Sequence, residues 1–230
     1  MAGSGKTLIL LYRLRILNKY FPDKRFLVLT HNKPLNHDLQ SRFNRIEGEL
    51  PENIEWDTFL GWCYSHWPRN VKWTQPVSLH NREKLANKAW EKYLKNSLVT
   101  RQMFISELDW FKDQVLMKRQ EYLAAGRRGR GFGLNVEQRQ RMYDAFVEFQ
   151  KSLGDGKQDW WDVPQQLWKA IEKGYELPKY DFIMIDEAQF FAPLWIQIIL
   201  RTLVSSNSHL FIVADPTQGF LGRGTSWKSL

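Results

Sequence analysis

An α/β fold built on a parallel sheet, with a helical segment inserted into it, is what this sequence predicts. Three observations carry that expectation. Short apolar runs inside 25–30 and at 182–185 and 210–213 read as strands, the first of them a buried parallel strand. Helical stretches lie between them, as crossovers between parallel strands require. From 64 to 158 the pattern turns to polar-rich helices and loops. A chain of 230 residues has room for one large domain with such an insertion. The expected organisation is therefore a sheet domain in two parts, 1–63 and 159–230, around an inserted helical subdomain at 64–158.

Each element has its own signal. Residues 6–20 read as a helix, and Leu8, Ile9, Leu10, Leu11, Leu14, Ile16 and Leu17 suit burial on most sides. Pro22 and Asp23-Lys24 mark a turn before the first strand. At 34–43, Leu35, Leu39 and Phe43 share one helical face. Residues 54–59 read as a further strand. In the middle of the chain, 81–98, 106–125 and 136–153 are the best helical stretches, with 159–174 as a fourth. The strand at 182–185, a helix at 193–204 and the strand at 210–213 complete the order.

Composition narrows the function classes. With 43% hydrophobic residues the chain can bury a sizeable core. The net charge of +8 favours an acidic partner, nucleic acid first, although a basic soluble protein would look the same. One cysteine, Cys63, excludes an internal disulfide and a cysteine-rich zinc site and fits a reducing, cytoplasmic setting. His31, His37, His66, His80 and His209 lack metal-ligand spacing, so no zinc is expected. No apolar run is long enough to span a bilayer, and no signal peptide is evident, so no membrane partner is expected. Most of the 11 tryptophans are expected in cores rather than as stacking platforms for bases.

The first seven residues, Met1-Ala2-Gly3-Ser4-Gly5-Lys6-Thr7, match the end of a phosphate-binding loop. The pattern's first glycine would fall just ahead of Met1, so the loop is expected to be incomplete here. Gly3, Ser4 and Gly5 would let backbone N–H groups wrap a polyphosphate at the positive end of the following helix. Lys6 would reach the β- and γ-phosphates of ATP, and the Thr7 hydroxyl would hold Mg²⁺. A flexible Gly/Ser terminus would share the composition, but the strongly apolar helix that follows argues against it.

Asp186-Glu187-Ala188-Gln189 follows the strand at 182–185. Carboxylates at the carboxyl end of a buried parallel strand stand where ligands bind in such sheets. Asp186 would hold Mg²⁺ through water, and Glu187 would orient and deprotonate the attacking water. The same pair could simply cap the next helix. Asp215-Pro216-Thr217-Gln218 follows the next strand, and Gln218 could sense the γ-phosphate; the plain alternative is a turn. Arg127, Arg128 and Arg130 stand among glycines, with Phe132 nearby, and suit phosphate contacts as well as they suit a solvated loop.

Together these segments resemble the UvrD/Rep-type helicases of superfamily 1 along nearly the whole chain. Gly3–Thr7 resembles motif I; Val28-Leu29-Thr30-His31-Asn32-Lys33 resembles motif Ia; Asp57-Thr58-Phe59-Leu60-Gly61-Trp62 resembles a DNA-touching segment in which Leu60 replaces the usual His. Asp159–Val163 resembles the short motif before motif II, Asp186–Gln189 motif II, and Asp215–Gln218 motif III. The resemblance implies a RecA-like P-loop NTPase sheet with an inserted helical subdomain, ATP and Mg²⁺ as cofactors, and single-stranded and duplex DNA as partners. It implies DNA contacts at Thr30, Asn32, Thr58 and Phe59. Two departures stand out: Leu8 replaces an arginine that usually faces adenine, and Phe220-Leu221-Gly222-Arg223-Gly224 replaces the usual continuation of motif III, leaving Phe220 or Trp227 as its base-stacking aromatic, or none.

The resemblance also implies a second RecA-like domain in the full-length protein, supplying arginines to the γ-phosphate, and a P-loop strand in the sheet centre. Without that strand, two others are expected to lose their ladder partner and expose aggregation-prone edges. The expected function is an ATP-dependent DNA helicase or translocase. The alternatives are a truncated, catalytically incompetent fragment that binds nucleotide and nucleic acid, and an ATPase that handles no nucleic acid.

Overall fold

The computed structural model describes residues 5–115, 118–127, 130–205 and 208–215. Along the chain these form α1 (Lys6–Tyr20), β1 (Phe26–Thr30), α2 (Lys33–Glu47), β2 (Ile54–Thr58), α3 (Phe59–Ser65), α4 (Leu79–Tyr93), α5 (Arg101–Asp113), α6 (Arg119–Ala124), α7 (Val136–Leu153), α8 (Asp162–Glu172), β3 (Phe182–Ile185), α9 (Pro193–Leu200) and β4 (His209–Ile212). They fall into two compact units. The sheet unit draws on Met1–Trp67, Ala170–Phe191 and Trp195–Phe220, and the helical unit on Pro68–Lys169 with Ala192–Leu194.

In the sheet unit four parallel strands pair in the order β2-β1-β3-β4. Thr30 lies opposite Thr58, Leu29 opposite Ile185, and Ile185 opposite Ile212, so all four strands finish on one edge. β1 is buried at every position, and α1 and α2 residues cover the face that carries Phe26 and Val28. Leu10, Leu11 and Leu14 of α1 meet Phe26, Val28, Phe182 and Met184 in that core, with Leu39 and Phe43 of α2. Phe26 stacks on Phe182 at 4.7 Å, which fixes the β1–β3 register from the side-chain side.

Two expectations are corrected here. The ladder is continuous through the four described strands, with no gap at its centre, and its two edges are β2 and β4, the residues of β4 being exposed or half-buried. Nor is α1 buried on most sides. Leu10, Leu11 and Leu14 form a narrow buried stripe, whereas Leu8, Ile9, Tyr12, Ile16 and Tyr20 are exposed. One helix face meets the sheet, and apolar residues all round the helix do not alter that geometry.

α3 was not expected. Its first turn is set by Thr58, whose hydroxyl accepts from the Gly61 N–H at 3.1 Å and so satisfies one of the orphan donors of a helix start. A Cβ on Gly61 would lie 2.2 Å from the Asp57 carboxylate, so glycine is the residue that lets Asp57 fold back over this turn.

The helical unit has its own core, in which Phe111 lies against Tyr122 at 4.1 Å and stacks on Phe146 at 4.4 Å. It also buries charge. The fully buried Glu107 accepts from Tyr122 Oη at 2.9 Å, Arg127 Nη2 at 3.0 Å and Arg130 Nη2 at 2.9 Å. Asp159 accepts from Arg82 Nε at 2.8 Å and Lys112 Nζ at 2.9 Å, and Lys112 also pairs with Asp162 at 2.8 Å. Burial alone would raise the Asp159 carboxyl, but the Lys112 and Arg82 charges outweigh it and hold the group below its ordinary range. Among the described residues no helix is long and apolar enough to cross a membrane.

Candidate active site

The carboxyl edge of the sheet gathers the chemistry. β3 ends at Ile185, and the Asp186 N–H donates to the Leu29 carbonyl at 3.1 Å, so the ladder fixes the backbone of Asp186. Its carboxylate is 1% exposed and meets the first turn of α1: Thr7 Oγ1 donates to Asp186 Oδ2 at 2.9 Å, across 179 positions of sequence. The other oxygen, Oδ1, accepts from the Glu187 N–H at 3.0 Å. Burial pushes the Asp186 carboxyl above its ordinary range, against the Thr7 and Glu187 hydrogen bonds that favour its charged form. A carboxylate so placed gains by meeting a cation.

α1 begins where it does because Gly5 adopts φ 72°, a left-handed conformation that side-chain-bearing residues avoid. The turn puts Lys6 and Thr7 first on the helix. Lys6 Nζ lies 3.5 Å from Asp215 Oδ2, and the Lys6 side chain remains 30% exposed. Asp215 reaches this place just after β4. A cation, a hydroxyl and two strand-end carboxylates thus converge on one edge.

Glu187 is the one described non-glycine residue with positive φ, at 53°. That conformation turns the chain into a short 3₁₀ turn, Ala188–Phe190, in which the Ala188 N–H donates to the Val213 carbonyl at 2.9 Å. Gln189 Nε2 donates to Glu187 Oε2, and Gln189 Oε1 accepts from the Asp215 N–H at 2.9 Å.

This pairing of a phosphate-loop end with a strand-end Asp-Glu is what a nucleotide-driven motor needs. A family model, the UvrD/REP helicase N-terminal domain, matches residues 1–222. The chain belongs to that family. No curated protein matches the chain. Membership makes the chain a UvrD-type helicase motor domain, and the family as a whole uses nucleotide, magnesium and DNA.

Within this UvrD/REP domain the expected site residues fare differently. Lys6, Thr7, Asp186 and Glu187 lie on the one sheet edge, with Gly5 as the turn before them. Gly3, Ser4, Arg128 and Gln218 lie outside the described residues, as do Phe220 and Trp227. Thr30 and Thr58 are register partners at the ends of β1 and β2, and both are buried. The Thr30 hydroxyl donates to the Asn32 carbonyl at 3.0 Å, and Asn32 Oδ1 accepts from the Leu35 N–H at 2.9 Å, capping α2. The Phe59 ring is fully buried and stacks on Trp195 at 4.5 Å, so it has no free face for a base.

The reading of Arg127 and Arg130 as a phosphate-binding loop is corrected. Both guanidinium groups are turned inward onto Glu107, where a buried carboxylate needs them. Sequence reasoning missed Glu107, Gln189 and the Lys6–Asp215 pair. A lone Glu in a helix gives no sequence signal, whereas Gln189 stands inside a motif already singled out.

Proposed function

We propose that this chain is the ATP-binding part of a DNA-translocating motor, holding ATP–Mg²⁺ at Gly5, Lys6, Thr7 and Asp186 and single-stranded DNA along the sheet edge near Thr30, Asn32 and Thr58. The observation that carries the reading is the 2.9 Å Thr7–Asp186 hydrogen bond, which joins the loop end to the strand-end carboxylate. A hydroxyl and a buried carboxylate are hard oxygen donors, the set Mg²⁺ prefers, so the residues present fit the ion. When bound, Mg²⁺ supplies charge neutralisation at the phosphates.

The chain's own residues do the rest. Lys6 meets a terminal phosphate with an ammonium already held at the site by Asp215, so little side-chain freedom is lost on binding. Glu187 accepts the proton of the attacking water. The buried Thr30 and Thr58 fix the carboxyl ends of β1 and β2 from within, and the turn at Asn32 beside them offers backbone groups to a sugar–phosphate chain. The compact grouping of Pro68–Lys169 supports reading the helices near 64–158 as an insertion into this motor domain. The expected second RecA-like partner and a cytoplasmic setting belong to the same proposal.

ATP hydrolysis by the full chain, with and without single-stranded DNA, tests it. DNA-stimulated turnover that falls by about 100-fold or more in Lys6→Ala is the expected result. Turnover that survives Lys6→Ala removes the site assignment. Turnover indifferent to DNA removes the DNA reading, and nucleotide and DNA binding without turnover marks a binding fragment instead.

A further inference from the structure

The turn that leaves β1 holds an aromatic ring in a fixed place. His31 and Asn32 follow Thr30, and both are half-buried. The Asn32 amide is committed at both ends. Its Oδ1 accepts from the Leu35 N–H at 2.9 Å to cap α2, and its Nδ2 donates to His31 Nε2 at 2.9 Å. Turning the amide over would set one donor against another at Leu35, so the cap fixes which end meets the imidazole. While Asn32 holds the edge of the ring, the Phe190 ring lies against it with centroids 4.4 Å apart and planes 31° from parallel. Phe190 arrives there through the 3₁₀ turn after β3, which separates two adjacent phenylalanines. Phe191 is fully buried and packs on Trp195, whereas Phe190 stays half-buried. The exposed Lys33 follows at the start of α2.

A ring held at its edge and backed by a second ring is a stacking surface formed before any ligand arrives, so contact costs little side-chain freedom. Its chemistry favours a base over a phosphate. The ring nitrogen that accepts from Asn32 carries no proton and offers a phosphate no donor. Every nucleobase, by contrast, has a π-face.

We propose that His31, backed by Phe190, is a base-stacking site for single-stranded DNA, and that the Asn32 side chain is its positioning residue rather than a DNA ligand. This rests on the reading that DNA runs along this sheet edge. It adds that one contact there is made to a base, without sequence preference, by side chains from the turns after β1 and β3.

Binding of an oligothymidylate of about 15 nucleotides to the full chain, followed by fluorescence anisotropy beside an abasic strand of equal length, tests the idea. Low salt keeps the abasic strand measurable through its phosphates alone. His31→Ala is expected to weaken the thymidylate about 5- to 100-fold and to change the abasic strand by less than about twofold. Phe190→Ala is expected to follow it with a smaller loss. His31→Phe keeps a ring and is expected to stay within about fivefold of wild type on both strands. Asn32→Ser keeps a capping oxygen but loses the donor to His31, and its loss is expected on the thymidylate alone.

Equal losses on both strands in His31→Ala overturn the proposal, since a merely structural role behaves that way. So does wild-type affinity in His31→Ala, or a His31→Phe that binds thymidylate no better than His31→Ala. A salt slope lower by about one in His31→Ala marks a phosphate contact and also overturns it. An Asn32→Ser loss shared by the abasic strand makes Asn32 a backbone ligand and removes its positioning role. Failure of the parent reading looks different: the wild-type chain then binds neither strand.

Discussion

The two units bury carboxylates in opposite ways. In the helical unit Glu107 is enclosed by two arginines and a tyrosine hydroxyl, and Asp159 by Arg82 and Lys112. Their charges are consumed by the fold. In the sheet unit Asp186 is just as deeply buried, yet a threonine hydroxyl and one backbone N–H face it, and burial raises its carboxyl. A buried charge matched by cations reads as scaffold. One answered by neutral donors beside a half-exposed lysine reads as a site awaiting a charged ligand.

The widest separation between the units should come from removing the carboxylates. Glu107→Ala leaves two inward-facing arginines without their counter-charge and is expected to cost about 3–5 kcal/mol of stability by denaturant titration. Asp186→Asn keeps an acceptor for Thr7 and removes a charge that burial disfavours. It is expected to leave stability unchanged or higher while lowering Mg²⁺-dependent hydrolysis. A large stability loss in Asp186→Asn would erase the contrast.

Acid sharpens the same comparison. The Asp159 carboxyl lies below its ordinary value of 3.8 in the folded chain because of Lys112 and Arg82. Its stabilisation is therefore full above that value and lost as pH falls through the lower folded value. Asp186, raised by burial, has the opposite sign: protonation relieves its penalty as pH falls through its raised folded value, and no stabilisation is lost. Core amides of α5 and α7 are expected to lose exchange protection in acid before those of β1 and β3, and the reverse order would sink the assignment.

The smallest effect concerns a residue first read as a DNA contact. Thr58 caps α3, so Thr58→Ala is expected to cost about 1 kcal/mol in a thermal melt, and Thr58→Ser to restore it. If Ala costs nothing, the cap is not what holds Thr58 in place.

β1 and β3 were legible because buried parallel strands are apolar runs, and β3 carries that signal in four consecutive residues. The helix at 136–153 was legible to the residue because Asn135 caps its start and Gly154 ends it. The stretch 106–125 was not, since it divides into α5 and α6. Gln165 from α8 donates to the Lys112 and Gln114 carbonyls at 2.8 and 2.7 Å, and no local pattern announces a helix end satisfied from so far away. The site divides along the same line. Lys6, Thr7, Asp186 and Glu187 stand in motifs whose spacing implies their chemistry, whereas the Gln189 bridge and the Glu107 arginine pair exist only once the chain has folded.

The left-handed backbone at Glu187 has a consequence for evolution and engineering alike. Such a conformation costs a glutamate on the order of 1 kcal/mol or more, and asparagine or glycine would adopt it more readily. A library selected for heat resistance alone would drift toward those residues at this position and discard the proposed proton acceptor on the way. Robustness and turnover pull in opposite directions at a single codon, and a lineage that keeps glutamate there is one in which the work of the motor still matters.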